Sequence, residues 1–140
     1  MTGKPKVGLG VIIQKEDKVL LLKRKGSHGA GEWSFPGGHL EFFETFERCA
    51  KRETKEETGL DVELVKKDPI AITNDLFNEE NKHYITLYME ARYISGEPKI
   101  LESEKCEDMG WFDWNNLPRP LFLPIQNLIK QKYVPYQKMK

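Results

Sequence analysis

The chain has 140 residues, 39% of them hydrophobic and 31% charged, and its 22 basic side chains cancel its 22 acidic ones. That composition supports one core and argues against a general nucleic-acid or membrane-surface binder, which would carry a basic excess. The longest apolar run, Val7 to Ile13, is too short to span a bilayer, and two cysteines, Cys49 and Cys106, make no disulfide framework.

MTGKPK carries no apolar signal stretch, so the expectation is a cytoplasmic protein with reduced, buried thiols. It is expected to be one domain over residues 1–140, with a tail from Tyr133 to Lys140 that frays. Val7–Gln14 is β-branched and apolar and predicts a strand. Val19–Arg24 predicts a second, joined to the first as a hairpin through the polar Lys15–Lys18 turn. Gly26–Gly31 holds three glycines and requires a loop, and Pro36-Gly37-Gly38 breaks the short aromatic stretch Glu32–Phe35.

Glu44–Thr58 predicts the clearest helix, with Gly59 as its stop. Val62–Ile72 and His83–Tyr93 predict strands, separated by an acidic exposed loop over Asn74–Lys82. Glu97–Glu107 is a polar connection, Gly110–Asp113 a short strand, Pro118–Pro124 irregular, and Ile125–Lys132 a final helix. The order implies an α/β fold in which helices pack against a mixed sheet.

The first helix breaks its own pattern. At about 100° per residue, Phe46, Cys49 and Ala50 share one face, with Arg48, Lys51 and Lys55 opposite. Glu53 and Glu57 fall in the centre of the apolar face, and Glu56 falls beside it. An amphipathic helix would continue there with Leu or Ala. Like charges at i,i+4 cost about 0.2–0.5 kcal/mol even when exposed, and more at a core edge unless neutralised. A divalent cation neutralises them, and all-oxygen donors suit a hard ion such as Mg²⁺ or Mn²⁺. The alternative is a solvated acidic helix end facing a cleft.

From Gly38 through Glu44 to Arg52-Glu53-Thr54-Lys55-Glu56-Glu57-Thr58-Gly59-Leu60, the spacing resembles the Nudix box at every fixed position. Only Thr54 stands where an aliphatic residue is commoner. The resemblance implies an α/β/α sandwich and hydrolysis of a nucleoside diphosphate linked to a further group. It implies that Glu53 and Glu57 ligate metal, with Glu56 as ligand or water-orienting carboxylate and the Gly38 carbonyl completing the site. Arg52 would orient the glutamates, and Glu44 would be a supporting acid. A bound Mg²⁺ would offset phosphoryl charge and lower the pKa of its water, and a carboxylate would accept the proton.

Lys23-Arg24-Lys25-Gly26-Ser27, Gly29-Ala30-Gly31 and Pro36-Gly37-Gly38-His39-Leu40-Glu41-Phe42 resemble one branch of that family, as do Asn81, His83-Tyr84, Thr86 and Glu104-Lys105. That branch includes the human thiopurine-nucleotide hydrolase and converts nucleoside triphosphates to monophosphate and pyrophosphate. The likeness implies that Arg24 meets phosphate or sugar. It implies that Phe35, Gly37 and Gly38 line the nucleotide cleft, with Thr86, Phe122 and Leu123 near the base. It also implies a homodimer. Phe43 departs from the pattern, since glycine is common there and a positive φ would disfavour Phe. Asp75 and Leu76 stand where members acting on ADP-ribose or dinucleoside polyphosphates carry Pro or Tyr.

His39 either contacts phosphate or closes the turn. His28 reads as an exposed loop residue, while His83 stands between a substrate and a structural role. Glu104 and Glu107 are candidates for an additional cleft acid. Trp111 and Trp114 read as sheet packing, and Trp33 as core or dimer contact.

Overall fold

The computed structural model describes residues 3–26 and 28–135. Ser27 and the last five residues of the tail, for which fraying is expected, lie outside them. Strands β1 (Lys6–Lys15), β2 (Lys18–Arg24), β3 (Trp33–Ser34) and β4 (Gly37–His39) precede helix α1 (Phe46–Thr58). Then come β5 (Asp61–Leu64), β6 (Ala71–Phe77), β7 (Lys82–Ser95), β8 (Cys106–Asp113) and helix α2 (Leu123–Lys130).

All the strands join one mixed sheet whose spine runs β3-β2-β1-β7-β5. β1 runs parallel to β7 from Lys6↔Tyr84 to Gln14↔Arg92, and the other pairings are antiparallel. Alternation along β1 separates two cores. Leu9, Val11 and Ile13 join Leu20, Leu22, Met89 and α1's Cys49 and Ala50 on one face. Ile12 joins Val19, Leu21, Trp33, Phe35, Tyr88 and α2's Ile125 and Leu128 on the other. A helix on each face makes the expected sandwich. Among the described residues no helix is long and apolar enough to cross a membrane.

The expected hairpin forms, but β1 and β2 pair only at Gln14↔Val19 and Lys15↔Lys18. Beyond that they part. Gly8, Leu9 and Gly10 of β1 pair with β4, whereas β2 pairs with β3 and β8. The split opens the sheet in its middle, and the functional cleft forms there. Pro36-Gly37-Gly38 is therefore not a plain breaker: Gly37–His39 is a strand held by β1.

Other boundaries shift for local reasons. α1 starts at Phe46 because the Thr45 hydroxyl accepts the Arg48 N–H at 3.1 Å, and Gly59 closes it at φ 77°. The single strand expected over Val62–Ile72 is two, interrupted by Lys66-Lys67-Asp68-Pro69 and lying end to end along the same edge of β7. The loop expected at Asn74 is strand β6 as far as Phe77, and Asp75 within it is fully buried. β8 begins at Cys106, four residues before the strand read at Gly110. α2 begins at Leu123 because Pro124 suits a first helical turn. Tyr133, where the tail was expected to start, packs edge-on against Trp114 and hydrogen-bonds Glu90.

Phe43 does adopt positive φ, at 64°. It stands 93% exposed and stacks on Phe42 with ring centroids 4.4 Å apart, so an unfavourable residue occupies a glycine-like corner just before α1. Trp33, Trp111 and Trp114 pack with the cores, and both cysteines are buried free thiols.

Candidate functional site

The split between β1 and β2 opens into a cleft of about 570 Å³. Glu53 and Glu57 of α1 reach it beside the Gly37-Gly38 strand, together with Glu102 and Glu104 from the chain before β8. Arg24, Phe35, Gly37, Gly38, His39, Thr86 and Phe122 line it too, so it gathers every residue assigned to substrate in the sequence except Leu123. Glu56 also lies outside the lining, on an exposed flank of α1. Glu107 pairs with Lys23 at 3.7 Å and does not reach the cleft.

The carboxylates are held individually. Glu57 Oε1 accepts the Gly37 N–H at 2.8 Å. Burial pushes its pKa up to about 8, helped by the charges of Glu53 and Glu102 and opposed by that hydrogen bond. Burial also raises Glu53, against the pull of Arg52. The Glu53 carboxylate lies so close to Gly38 that a Cβ there would stand 2.2 Å from it, which explains the glycine.

Arg52 organises this end. Its Nε and Nη2 donate to the two oxygens of Glu44 at 2.6 and 3.0 Å, a bidentate pair. Its Nη1 reaches Glu53 at 3.1 Å and Glu56 at 3.3 Å, and its Nη2 reaches the His39 carbonyl at 3.3 Å. The pairing raises the Arg52 pKa further above its ordinary value and holds the Glu44 carboxyl down at about 2. Because the folded pKa lies below the ordinary 4.5, this contribution is present above pH 4.5 and is lost as pH falls toward 2. Glu44→Gln is expected to cost about 2 kcal/mol at pH 7 and to flatten the acid limb of the stability curve. Urea melts at pH 7 and pH 3 measure both effects.

The donor chemistry fits a hard divalent cation. Two carboxylates one helical turn apart face a cleft beside a backbone turn, and Glu57 takes its hydrogen bond from a peptide N–H rather than from a cationic side chain. Among the described residues no three His, Cys, Asp or Glu side chains converge at ligand spacing. Glu53 and Glu56 turn toward Arg52, while Glu57 turns toward Gly37.

An aromatic wall lines the same cleft. The Arg24 guanidinium lies 3.9 Å from the centre of the Phe122 ring and donates to the His28 carbonyl at 3.1 Å. Burial lowers the Arg24 pKa, and the charge of Glu57 raises it. His28 is not simply exposed: it packs edge-on against Phe77 and Phe122 and stacks on Tyr84. Its Nδ1 meets Glu80 at 2.7 Å, fastening the glycine loop to the β6–β7 turn. His39 stacks on Tyr84 at 5.6 Å. His83 instead bonds Asn74 and lies outside the cleft. The sequence reading missed Glu102, His28 in its cleft role, Phe77, and Gly8 and Gly10. The last two were legible only as odd glycines in a strand.

A model of the NUDIX domain matches residues 4–133. The ADP-ribose pyrophosphatase of Methanocaldococcus jannaschii is 36% identical over 118 residues, 84% of this chain and 68% of that protein. The oxidized purine nucleoside triphosphate hydrolase of Danio rerio is 32% identical over 108 residues, 77% of this chain and 66% of that protein. Two further relatives are longer, the match spanning 38% and 34% of them. The crystal structure of a MutT NUDIX hydrolase from Burkholderia pseudomallei superposes with a TM-score of 0.79 at 31% identity, over 93% of this chain and 98% of that one. These relatives are named for different substrates, so the similarity defines a family and not the triphosphate branch that the loop motifs suggest. A match that takes in the glycine turn, the acidic helix and both cores leads to one conclusion: the chain belongs to the NUDIX domain family.

Proposed function

We propose that the protein hydrolyses nucleoside triphosphates to nucleoside monophosphate and pyrophosphate with the help of Mg²⁺, for which Mn²⁺ can substitute. One observation carries this: a single cleft unites the α1 carboxylates, the Arg24 cation and a floor of Gly8, Gly10, Phe35 and Thr86 open to a planar base. Glu53, Glu57 and the Gly38 carbonyl would hold the ion, with Glu56 as a further carboxylate steadied by Arg52. When bound, Mg²⁺ neutralises phosphoryl charge and lowers the pKa of water. Arg24 meets the phosphates, and Phe35, Gly37, His39, Thr86 and Phe122 seat the nucleotide. Water adds at one phosphorus of the α–β bridge, the bridging P–O bond breaks to give nucleoside monophosphate and pyrophosphate, and a carboxylate takes the proton. The same proposal makes the chain a one-domain cytoplasmic enzyme acting as a homodimer.

A second reading, hydrolysis of a linked diphosphate such as ADP-ribose or a dinucleoside polyphosphate, is favoured by the similarity to the Methanocaldococcus jannaschii protein. A Mg²⁺-supported panel separates the two: canonical and oxidised or methylated triphosphates beside ADP-ribose, nucleotide sugars and dinucleoside polyphosphates, with products resolved. Monophosphate and pyrophosphate from triphosphates support the proposal. Turnover of a linked diphosphate alone replaces it with the second reading. Tight binding without turnover makes the domain a nucleotide sensor.

A further inference from the structure

Beneath the cleft lies a buried polar network in which the proposed chemistry uses Thr86 alone. Gly8 and Gly10 of β1 stand beside Thr86 and Tyr88 of β7, and their missing side chains leave those two residues as cleft floor. A Cβ on Gly8 would lie 3.8 Å from the Thr86 hydroxyl oxygen. Behind Thr86 sits Asp75 of β6, fully buried. Its Oδ2 accepts from the hydroxyls of Thr86 and Thr73, and its Oδ1 accepts from Asn127 Nδ2 of α2 at 2.9 Å. Tyr88 donates to the Pro124 carbonyl and lies 2.9 Å from the Thr73 hydroxyl.

A hydroxyl has one proton and two lone pairs. Asp75 takes the Thr86 proton, so Thr86 can offer the cleft only an acceptor. We propose that Asp75 is a positioning residue that sets the hydrogen-bond polarity of the cleft floor, so that the group seated on Thr86 is a donor, the exocyclic amino group of a nucleobase. This rests on the proposal that the cleft binds a nucleotide with its base on that floor. Adenine and cytosine carry such an amino group, and their counterparts hypoxanthine and uracil carry an oxo acceptor there. Two acceptors facing each other in a desolvated site leave both unpaired, which is how a polar floor discriminates.

Asp75→Asn reverses the polarity without emptying the network. The oxygen of the introduced amide still accepts from Asn127, and its NH₂ donates to Thr73 and Thr86. Thr73 then donates to Tyr88, and the Thr86 proton is freed toward the cleft. The experiment measures kcat/KM for ATP against ITP and CTP against UTP. In the wild type the amino member is favoured in both pairs. In Asp75→Asn the amino-to-oxo ratio falls by about tenfold or more. In Thr86→Val, which removes the hydroxyl, the ratio falls to about one, and this variant decides the matter should Asp75→Asn fail to fold. Melting curves accompany every variant: a lower melting temperature with an unchanged ratio is a structural role and overturns the proposal. Turnover of ADP-ribose alone ends the triphosphate reading but not this one, because ADP-ribose and its hypoxanthine analogue carry the same amino–oxo pair. An unchanged ratio there would overturn this inference by itself.

Discussion

Glu57→Gln is expected to reduce Mg²⁺-supported turnover by about a thousandfold or more while leaving the protein more resistant to heat at alkaline pH. The loss follows from charge. Gln keeps an oxygen for the Gly37 N–H, so the turn stays in place, but an amide cannot neutralise a dication as a carboxylate does. The gain follows from the folded-state pKa of about 8, raised from 4.5 chiefly by burial. A carboxyl held above its unfolded value makes the folded state bind its proton more tightly. Stability is then lost as pH rises from 4.5 through about 8. Gln has no charge to develop, so that loss disappears. Thermal melts in chelator at pH 5 and pH 9 give the second readout, and initial rates give the first. Retained turnover would end the assignment of Glu57, whereas a melting temperature that falls with the activity would mean a damaged fold.

The two glycines before α1 are expected to part company on substitution. A Cβ on Gly37 would stand 2.0 Å from the Leu9 carbonyl oxygen and 3.0 Å from the Gly10 Cα, both backbone atoms of the paired strand. Neither yields unless β1 moves, and β1 carries both cores. Gly37→Ala is therefore expected to cost about 3 kcal/mol or more in chemical denaturation. The atoms that meet a Cβ on Gly38 belong instead to the Glu53 carboxylate, the far end of a side chain with three rotatable bonds, held among the described residues only by Arg52 at 3.1 Å. Gly38→Ala is expected to keep its stability within about 1 kcal/mol and to lose activity because Glu53 is pushed off its position. Equal stability losses in the two variants would show that this distinction is wrong.

The acidic helix was legible because its signal is local. A 3.6-residue period that turns from apolar to acidic on one face needs no knowledge of distant chain, and neither does the Gly59 stop. What escaped was settled by partners far along the sequence. Gly37–His39 looks like a breaker until β1 supplies glycines for it to lie against. Asp75 looks like part of a solvated acidic loop until three side chains from β6, β7 and α2 converge on it. Glu102, Glu104 and Glu107 are indistinguishable in a polar connection. Glu107 falls within β8 and pairs with Lys23, whereas Glu102 and Glu104 precede the strand and line the cleft. His28, in a glycine loop, gave no sign of the rings of Phe77, Tyr84 and Phe122 that enclose it.

The parallel seam between β1 and β7 also bears on the order of assembly. Strand neighbours joined by a hairpin can find each other while the chain is still emerging from the ribosome. β1 meets β2 in this way, but its β7 partners run from Tyr84 to Arg92, and a seam that closes so long a loop forms slowly. Gly8 and Gly10 meet Thr86 and Tyr88 only along this seam. The helix that carries the catalytic candidates can therefore be wound, capped and internally paired well before the pocket floor exists. For this chain, the ability to recognise a ligand is expected to arise late in folding.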